Sequence, residues 1–483
     1  MLLPDSSHFA LLSSSDAVTT ATVAVTTASV AVTTASVDLL AARIQMALTL
    51  GFHIVLACLG VAFPAIMLLA EWRGRRHGDP DALLLAQRWS KVVAVTFAVG
   101  AVSGTVLSFE MGLLWPGLMG RFGGAFGIPF AVEGIAFFLE AIFVAIYLYG
   151  WRQLGARAHL LSGVPIALAG LLGTFSVVTA NAWMNQPAGF TLGADGRVTD
   201  VQPLGVLFNA ATGYEVVHMF LAAYMVTGFL LASVYAFAFL RGHRDRYTRL
   251  GFLIAFSVAV VATPLQIVVG DVAARAVRDQ QPAKFAGMEL ISQTASHQPE
   301  TIGGILVDGR VAGGLQIPNL ASLLSGFSPD TVIAGLNAVP PDERPPADVV
   351  HLAWNAMVGI GTLLLVPAAW FVLSWWRRRD VPSSPWFWRL ASVTGVAAVG
   401  AMEAGWVVTE VGRQPWLVYG LLRTSDAVTH APGIVISLAG TTLLYAVLAA
   451  TTILVIAGMA RRWGRGGVAE ADVPYGPREG ARS

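Results

Sequence analysis

Three things are scarce in this chain of 483 residues. It has one cysteine, Cys58; only 12% of its residues are charged; and of its thirty basic side chains just Lys91 and Lys284 are lysines. A single cysteine excludes a disulfide framework, a cysteine-ligated iron–sulfur cluster and a zinc site built on thiolates. Any metal must therefore be held by His, Met or carboxylate. Soluble proteins carry roughly 25% charge. With 55% hydrophobic residues set against 12% charged ones, the chain cannot cover itself with polar surface, and a soluble globular enzyme is excluded. A net charge of +1 supplies no basic field and argues against a nucleic-acid partner.

What is abundant is long apolar sequence. About 20 residues of helix cross roughly 30 Å of hydrocarbon. Nine runs meet that length, at 42–70, 92–115, 128–150, 158–183, 211–239, 249–270, 351–374, 387–411 and 433–459. The predicted class is an all-α polytopic membrane protein. Arginine clusters follow every odd span: Arg73, Arg75 and Arg76 after the first, Arg377, Arg378 and Arg379 after the seventh. The positive-inside rule then predicts an outside N-terminus and a cytoplasmic C-terminus. Residues 38–270 form spans one to six and 351–460 form spans seven to nine. A tail, 461–483, is cytoplasmic. The segment 271–350 is rich in Gly, Pro, Asp and Gln, shows no obvious core and lies outside; loops of that length are usually functional or disordered. Residues 1–37 carry a seven-residue repeat marked by Thr19-Thr20, Thr26-Thr27 and Thr33-Thr34. No basic stretch precedes an apolar core, so this is not a signal peptide; a disordered or mis-started extension is expected.

Ionisable groups inside apolar spans mark functional positions by default. Only His53 and His218 lie well inside such runs, while His351 opens the seventh and His159 falls at a span end. That is too few for a heme–copper oxidase. Histidine and methionine are common axial ligands of a porphyrin iron. Glu133 and Glu140 on span three, and Glu403 and Glu410 on span eight, are each seven apart, two helical turns, on one face. Glu110 closes span two, and Glu215 precedes His218 by one turn. The two pairs lack basic partners nearby in sequence, which favours a proton relay or iron ligation over structural ion pairing. A heme-free secondary transporter with a buried carboxylate relay would carry the same residues, and a b-type electron-transfer protein without oxygen chemistry is a further alternative.

Several segments are more specific. RIQMALTLGFH (43–53), AVEGIAFFLEAIF (131–143), ANAWMNQPAG (180–189), VVHM (216–219), GD (270–271), LAWNAMVG (352–359) and EAGWVVTEVGRQPW (403–416) resemble, in this order, subunit I of the cytochrome bd-type quinol oxidases. The resemblance covers roughly residues 38–460. It implies a nine-helix subunit that oxidises quinol at the outer face and reduces dioxygen to water. It also implies one low-spin and one high-spin heme b, together with heme d or, as in the cyanide-insensitive branch, a third heme b. The partners implied are a second membrane subunit and small single-helix subunits in the bacterial cytoplasmic membrane.

Carried over residue by residue, the resemblance makes His218 and Met357 the ligands of the low-spin heme, and His53 and Glu410 the ligands of the high-spin pair. Trp406 and Arg413 would pack around that pair, with Arg413 suited to a heme propionate. Glu133 would stand beside the oxygen-reactive iron, with Glu140 on a proton path. Glu110 is a further proton-path candidate. Lys284 and Glu289, in PAKFAGMEL, would bind quinol. Asn355 stands where many members of the family have arginine.

Overall fold

A computed structural model describes residues 12–465, with side chains from 37 to 463. The helices in chain order are α1 (Leu12–His77), α2 (Pro80–Leu114), α3 (Pro116–Gly150), α4 (Ala156–Asn185), α5 (Pro203–Leu207), α6 (Thr212–Leu240) and α7 (Arg246–Gln280), followed by α8 (Pro282–Met288), α9 (Leu320–Gly326), α10 (Ala347–Leu363), α11 (Leu365–Arg378), α12 (Pro385–Gly412), α13 (Thr424–Ala427) and α14 (Ile434–Arg465). Among the described residues, nine helical segments are long and apolar enough to cross a membrane, as the sequence predicts. Most of the repeat-bearing extension and of the C-terminal tail lies outside the residues whose side chains are described.

Local chemistry sets the boundaries. α2 begins at Pro80, well before residue 92, because Asp79 caps it: the Asp79 carboxylate accepts from the Ala82 amide at 3.3 Å, and a proline at the first helical position gives up no hydrogen bond. Asp245 caps α7 in the same way, accepting from the Thr248 amide at 2.8 Å. The seventh span is split at Leu364. Pro367 cannot donate to Leu363, and its ring crowds that carbonyl, so α10 ends and α11 restarts.

Ion pairs hold one end of the bundle. Arg246 grips Asp79 at 2.6 Å and Asp81 at 2.7 Å, tying the start of α7 to the start of α2. Arg249 pairs with Asp380 beside the end of α11. The connections after spans one, five and seven therefore lie together at an arginine end, as their alternating charge requires. The main core fills the bundle where α1, α6, α7 and α12 meet, with Phe229, Phe252, Phe256, Phe387 and Trp388 interlocked and Cys58 sealed among them.

The opposite end carries the segment 271–350. α7 runs through its first turns to Gln280. α8 and α9 follow. Beyond the small hairpin of β1 (Thr191–Leu192) and β2 (Val198–Thr199) between α4 and α5, the chain here forms two short antiparallel ladders, β3 (Glu300–Ile302) with β6 (Leu315–Ile317) and β4 (Ile305–Val307) with β5 (Arg310–Ala312). The sequence shows no core here, yet Phe285, Met288, Ile291, Ile333, Leu336 and Val350 are buried together. These residues are spread over short elements without a helical or strand period, which hides the cluster from sequence. Asn355 on α10 accepts from the Gly303 amide at 2.7 Å and so fastens the turn between β3 and β4 to the bundle.

Candidate functional site

One chamber of about 600 Å3 opens between α4, α6, α7, α8, α10 and α12 at the loop end. His218, Met357 and Trp406 stand in its wall, and Lys284, Glu289 and Glu215 border it. The structure thus brings together the expected ligands of the low-spin heme and the expected quinol residues.

His218 is half-buried on α6, and its buried Nδ1 has no hydrogen-bond partner; its Nε2 lies 3.1 Å from the Gln266 amide nitrogen. A Cβ at Gly270 would come within 3.2 Å of the His218 ring, and one at Gly405 within 2.9 Å of the Met357 sulfur. Both glycines therefore keep the two side chains clear. An orphaned imidazole nitrogen, a thioether and an apolar chamber fit residues that would hold a flat apolar cofactor.

His53 on α1 has a different setting. Its Nδ1 sits 2.9 Å from the Ser103 hydroxyl, and Ser103 gives its own proton to the Gly100 carbonyl at 3.0 Å. The hydroxyl therefore accepts from Nδ1–H, which leaves the lone pair on Nε2. Metal-ligating histidines are oriented in this way by a partner on the other nitrogen. A Cβ at Gly104 would lie 3.0 Å from the ring, so α2 passes close without blocking it.

Glu410 corrects one sequence expectation. It has a basic partner three residues on, because Arg413 lies one turn further along and donates to it at 2.6 Å; Asn181 donates to its other oxygen. Arg413, which donates the first of these bonds, is itself 1% exposed. The hub of this cluster is Asn185. Its amide nitrogen donates to Glu215 at 3.0 Å. Its Oδ1 accepts from Gln281 at 3.2 Å, Lys284 at 3.2 Å and Arg413 at 3.4 Å. Two carboxylates and two cations are thus matched in a buried network. Asn181 and Asn185 both belong to the ANAWMNQPAG motif, which was the only sign of them in the sequence. Their roles depend on α4, α6, α8 and α12 meeting.

Lys284 is buried rather than solvated, its stem pressed on Gly412, where a Cβ would be 2.9 Å away. Burial, then Arg413, pushes its ammonium down to about 8, against the pull of Glu215 and Glu410. Glu289 lines the same chamber at the C-terminal end of α8. Burial, then the neighbouring Glu300 carboxyl, holds it well above the usual carboxylate range, and a hydrogen bond from Trp354 opposes the shift. Neither Glu300 nor Trp354 was singled out from the sequence.

The remaining candidates lie away from the chamber. Glu133 and Glu140 are half-buried on α3, neither with an ion-pair partner among the described residues; Glu140 lies 3.7 Å from where a Gly60 Cβ would be, facing α1. Glu403 faces α1 at Gly51, 3.4 Å from a Cβ there, close in sequence to His53. Glu110 accepts from Gln45 at 2.8 Å. Gln45 is 15 residues before Gly60, about 22 Å along α1 at 1.5 Å per residue, so Glu110 and Glu140 are not neighbours. His159 is fully buried at the arginine end, 2.9 Å from Glu71.

Fold and site define a polytopic membrane protein with an internal chamber walled by imidazole and thioether and bordered by acid and base. The model of the family described as cytochrome bd terminal oxidase subunit I matches residues 41–463. The putative cytochrome bd menaquinol oxidase subunit I of Bacillus subtilis is 34% identical over 423 residues, 86% of this chain and 95% of that protein. The cytochrome bd-II ubiquinol oxidase subunit 1 of Escherichia coli is 26% identical, over 80% of this chain and 88% of that one. The solved structure of bd oxidase from Geobacillus thermodenitrificans superposes with a TM-score of 0.83 at 36% identity, covering 88% of this chain and 98% of the other. The chain belongs to the cytochrome bd terminal oxidase subunit I family.

Proposed function

We propose that this chain is the heme-bearing subunit of a quinol oxidase, oxidising quinol at the loop end of the bundle and reducing dioxygen to water. The observation that carries this is a single apolar chamber with Lys284 and Glu289 at its border and His218 and Met357 in its wall. The names of the relatives, menaquinol and ubiquinol oxidases, support the same substrate class.

His218 and Met357 would hold the low-spin heme b, and His53 and Glu410 the high-spin pair, with Trp406 packed beside them. When bound, one low-spin and one high-spin heme b with heme d or a third heme b supply electron transfer and a binding site for dioxygen. The chain's own residues do the rest. Lys284 and Glu289 orient the quinol hydroxyls, and a carboxylate takes the phenolic proton, the step a quinol oxidase needs from a general base. Arg413 and Asn181 fix the Glu410 carboxylate. Ser103 fixes the His53 ring. Glu133 and Glu140 hold protons within the bundle for the reduction of dioxygen, and Glu110, which accepts from Gln45, is a further proton-path residue.

With the arginine end in the cytoplasm of a bacterial cell, protons enter there and leave at the loop end. Charge is then separated without a pump. A second membrane subunit, with small single-helix subunits, completes the oxidase. Family membership tells against the heme-free transporter. The deciding experiment is a pyridine hemochrome assay with oxygen consumption on a quinol donor, on protein purified with its partner subunit. Heme, quinol-dependent oxygen uptake and a carbon monoxide shift are expected. A colourless preparation overturns the proposal, and heme without a carbon monoxide shift leaves only electron transfer.

A further inference from the structure

We propose that Glu300 is a second carboxyl of the quinol site: it shares a proton with Glu289, and the pair passes the phenolic proton out through a polar cavity beyond it. This rests on the quinol oxidation proposed above.

Glu289 and Glu300 both border the chamber. Glu300, on β3, comes within hydrogen-bonding reach of Glu289. Two ionised carboxylates only accept, so one proton must lie between them for the contact to hold. Glu289 Oε2 is buried and has no hydrogen-bond partner, so the carboxyl keeps an open polar atom. Burial raises the proton affinity of both groups. Glu289 itself is 4% exposed, whereas Glu300 is half-buried. A route to solvent is built behind them. Glu289 is also in the wall of a second cavity, of about 340 Å3, lined by Gln293, Gln298, Thr301, Arg310 and Gln316; of these, Gln293, Arg310 and Gln316 are exposed. Glu289 therefore stands in a partition, with the apolar chamber on one side and a polar cavity reaching the surface on the other.

The charged surroundings are otherwise satisfied. His351 on α10 lies on the Glu300 side and opposes its upward shift, with its ring nitrogens against the Met288 and Gly303 carbonyls at 2.6 and 3.0 Å. Asp271 and Arg275 on α7 pair with each other. Asp348 accepts from the Leu306 amide at 2.7 Å. Lys284 is turned to Asn185. α12 presents only Val408 and Thr409 to this part of the chamber.

The step balances. A quinol O–H bond breaks and its proton joins the singly protonated pair, while the electrons go to dioxygen, the oxidant of the reaction. The pair then sheds a proton through the polar cavity and is ready for the second O–H.

The test uses the complete oxidase with its partner subunit and compares Glu300→Gln, Glu300→Ala and Glu300→Asp. In the singly protonated pair the proton on Glu300 is donated to the Glu289 carboxylate and stabilises its charge, so losing that donor raises the proton affinity of Glu289. In Glu300→Ala the acid limb of the kcat/KM profile for quinol should therefore move up by about one pH unit, a tenfold change in proton affinity. In Glu300→Gln, whose amide is a weaker donor, it should move in the same direction. The kcat should fall at least tenfold as the exit step slows, with heme spectra unchanged, and Glu300→Asp should restore both. An acid limb that stays in place with kcat within twofold overturns the proposal. So does loss of heme in both Glu300→Gln and Glu300→Ala, which would make Glu300 a structural prop. If the unsubstituted oxidase consumes no oxygen with quinol, the proposed function itself falls. If it does and the variant profile is unmoved, only this inference falls.

Discussion

At the residue scale the site turns on contacts with little slack. The Met357 sulfur sits where a single added methyl on Gly405 would collide with it at 2.9 Å. If Met357 is the thioether ligand proposed above, Met357→Leu should disturb the low-spin heme spectrum while sparing carbon monoxide binding. Gly405→Ala should give the same spectral change by displacing an intact methionine. An unchanged spectrum in both, recorded on purified oxidase, would refute the ligand assignment. Lys284→Gln tests the other end of the chamber. It removes one of two cations matched to Glu215 and Glu410, and should lower quinol oxidation at least tenfold, about 1.4 kcal/mol of transition-state stabilisation, with heme content retained; loss of heme instead would contradict a role in quinol binding. The sequence singles out His218, Met357 and Lys284 through their motifs, and the structure sets all three at one chamber. The Asn185 hub was not legible, because its partners come from α6, α8 and α12, far from α4 in sequence.

At the scale of elements the apolar runs were legible because span length and hydropathy follow directly from bilayer thickness. Their ends were not, since caps and charged turns continue a helix beyond its apolar part, as at Pro80 and Gln280. The joint between α2 and α7 shows what those ends do. Asp79 caps α2 and binds Arg246 at once, and the Arg246 guanidinium holds its carboxyl below the usual aspartate range. That contribution is complete above the ordinary value near 3.9 and is lost as pH falls through the lower folded-state value. Asp79→Ala removes the cap and the pair together and should cost roughly 1–2 kcal/mol, chiefly from the cap. The loss should be visible as a lower thermal midpoint at pH 7, and the difference from the parent should shrink under strongly acidic conditions. An equal difference at every pH would show that the carboxylate charge contributes nothing.

At the scale of the molecule the chamber lies at one end and the half-buried Glu133 and Glu140 lie along α3, so the donor oxidation and proton supply proposed above would be separated along the bundle. In proteoliposomes oriented with the loop end inward, quinol oxidation should acidify the lumen, and an ionophore should abolish the gradient without slowing oxygen uptake. Alkalinisation of the lumen would reverse the topology read from the arginine clusters. The packing at the bundle centre has a practical corollary. Cys58, the chain's one thiol, is 0% exposed between α1, α6 and α7, so maleimide probes should ignore the native fold. A spin label or fluorophore can then be attached at any engineered surface position without first deleting a background site, and delayed reaction of the native sulfur itself becomes a clock for the opening of the central helices.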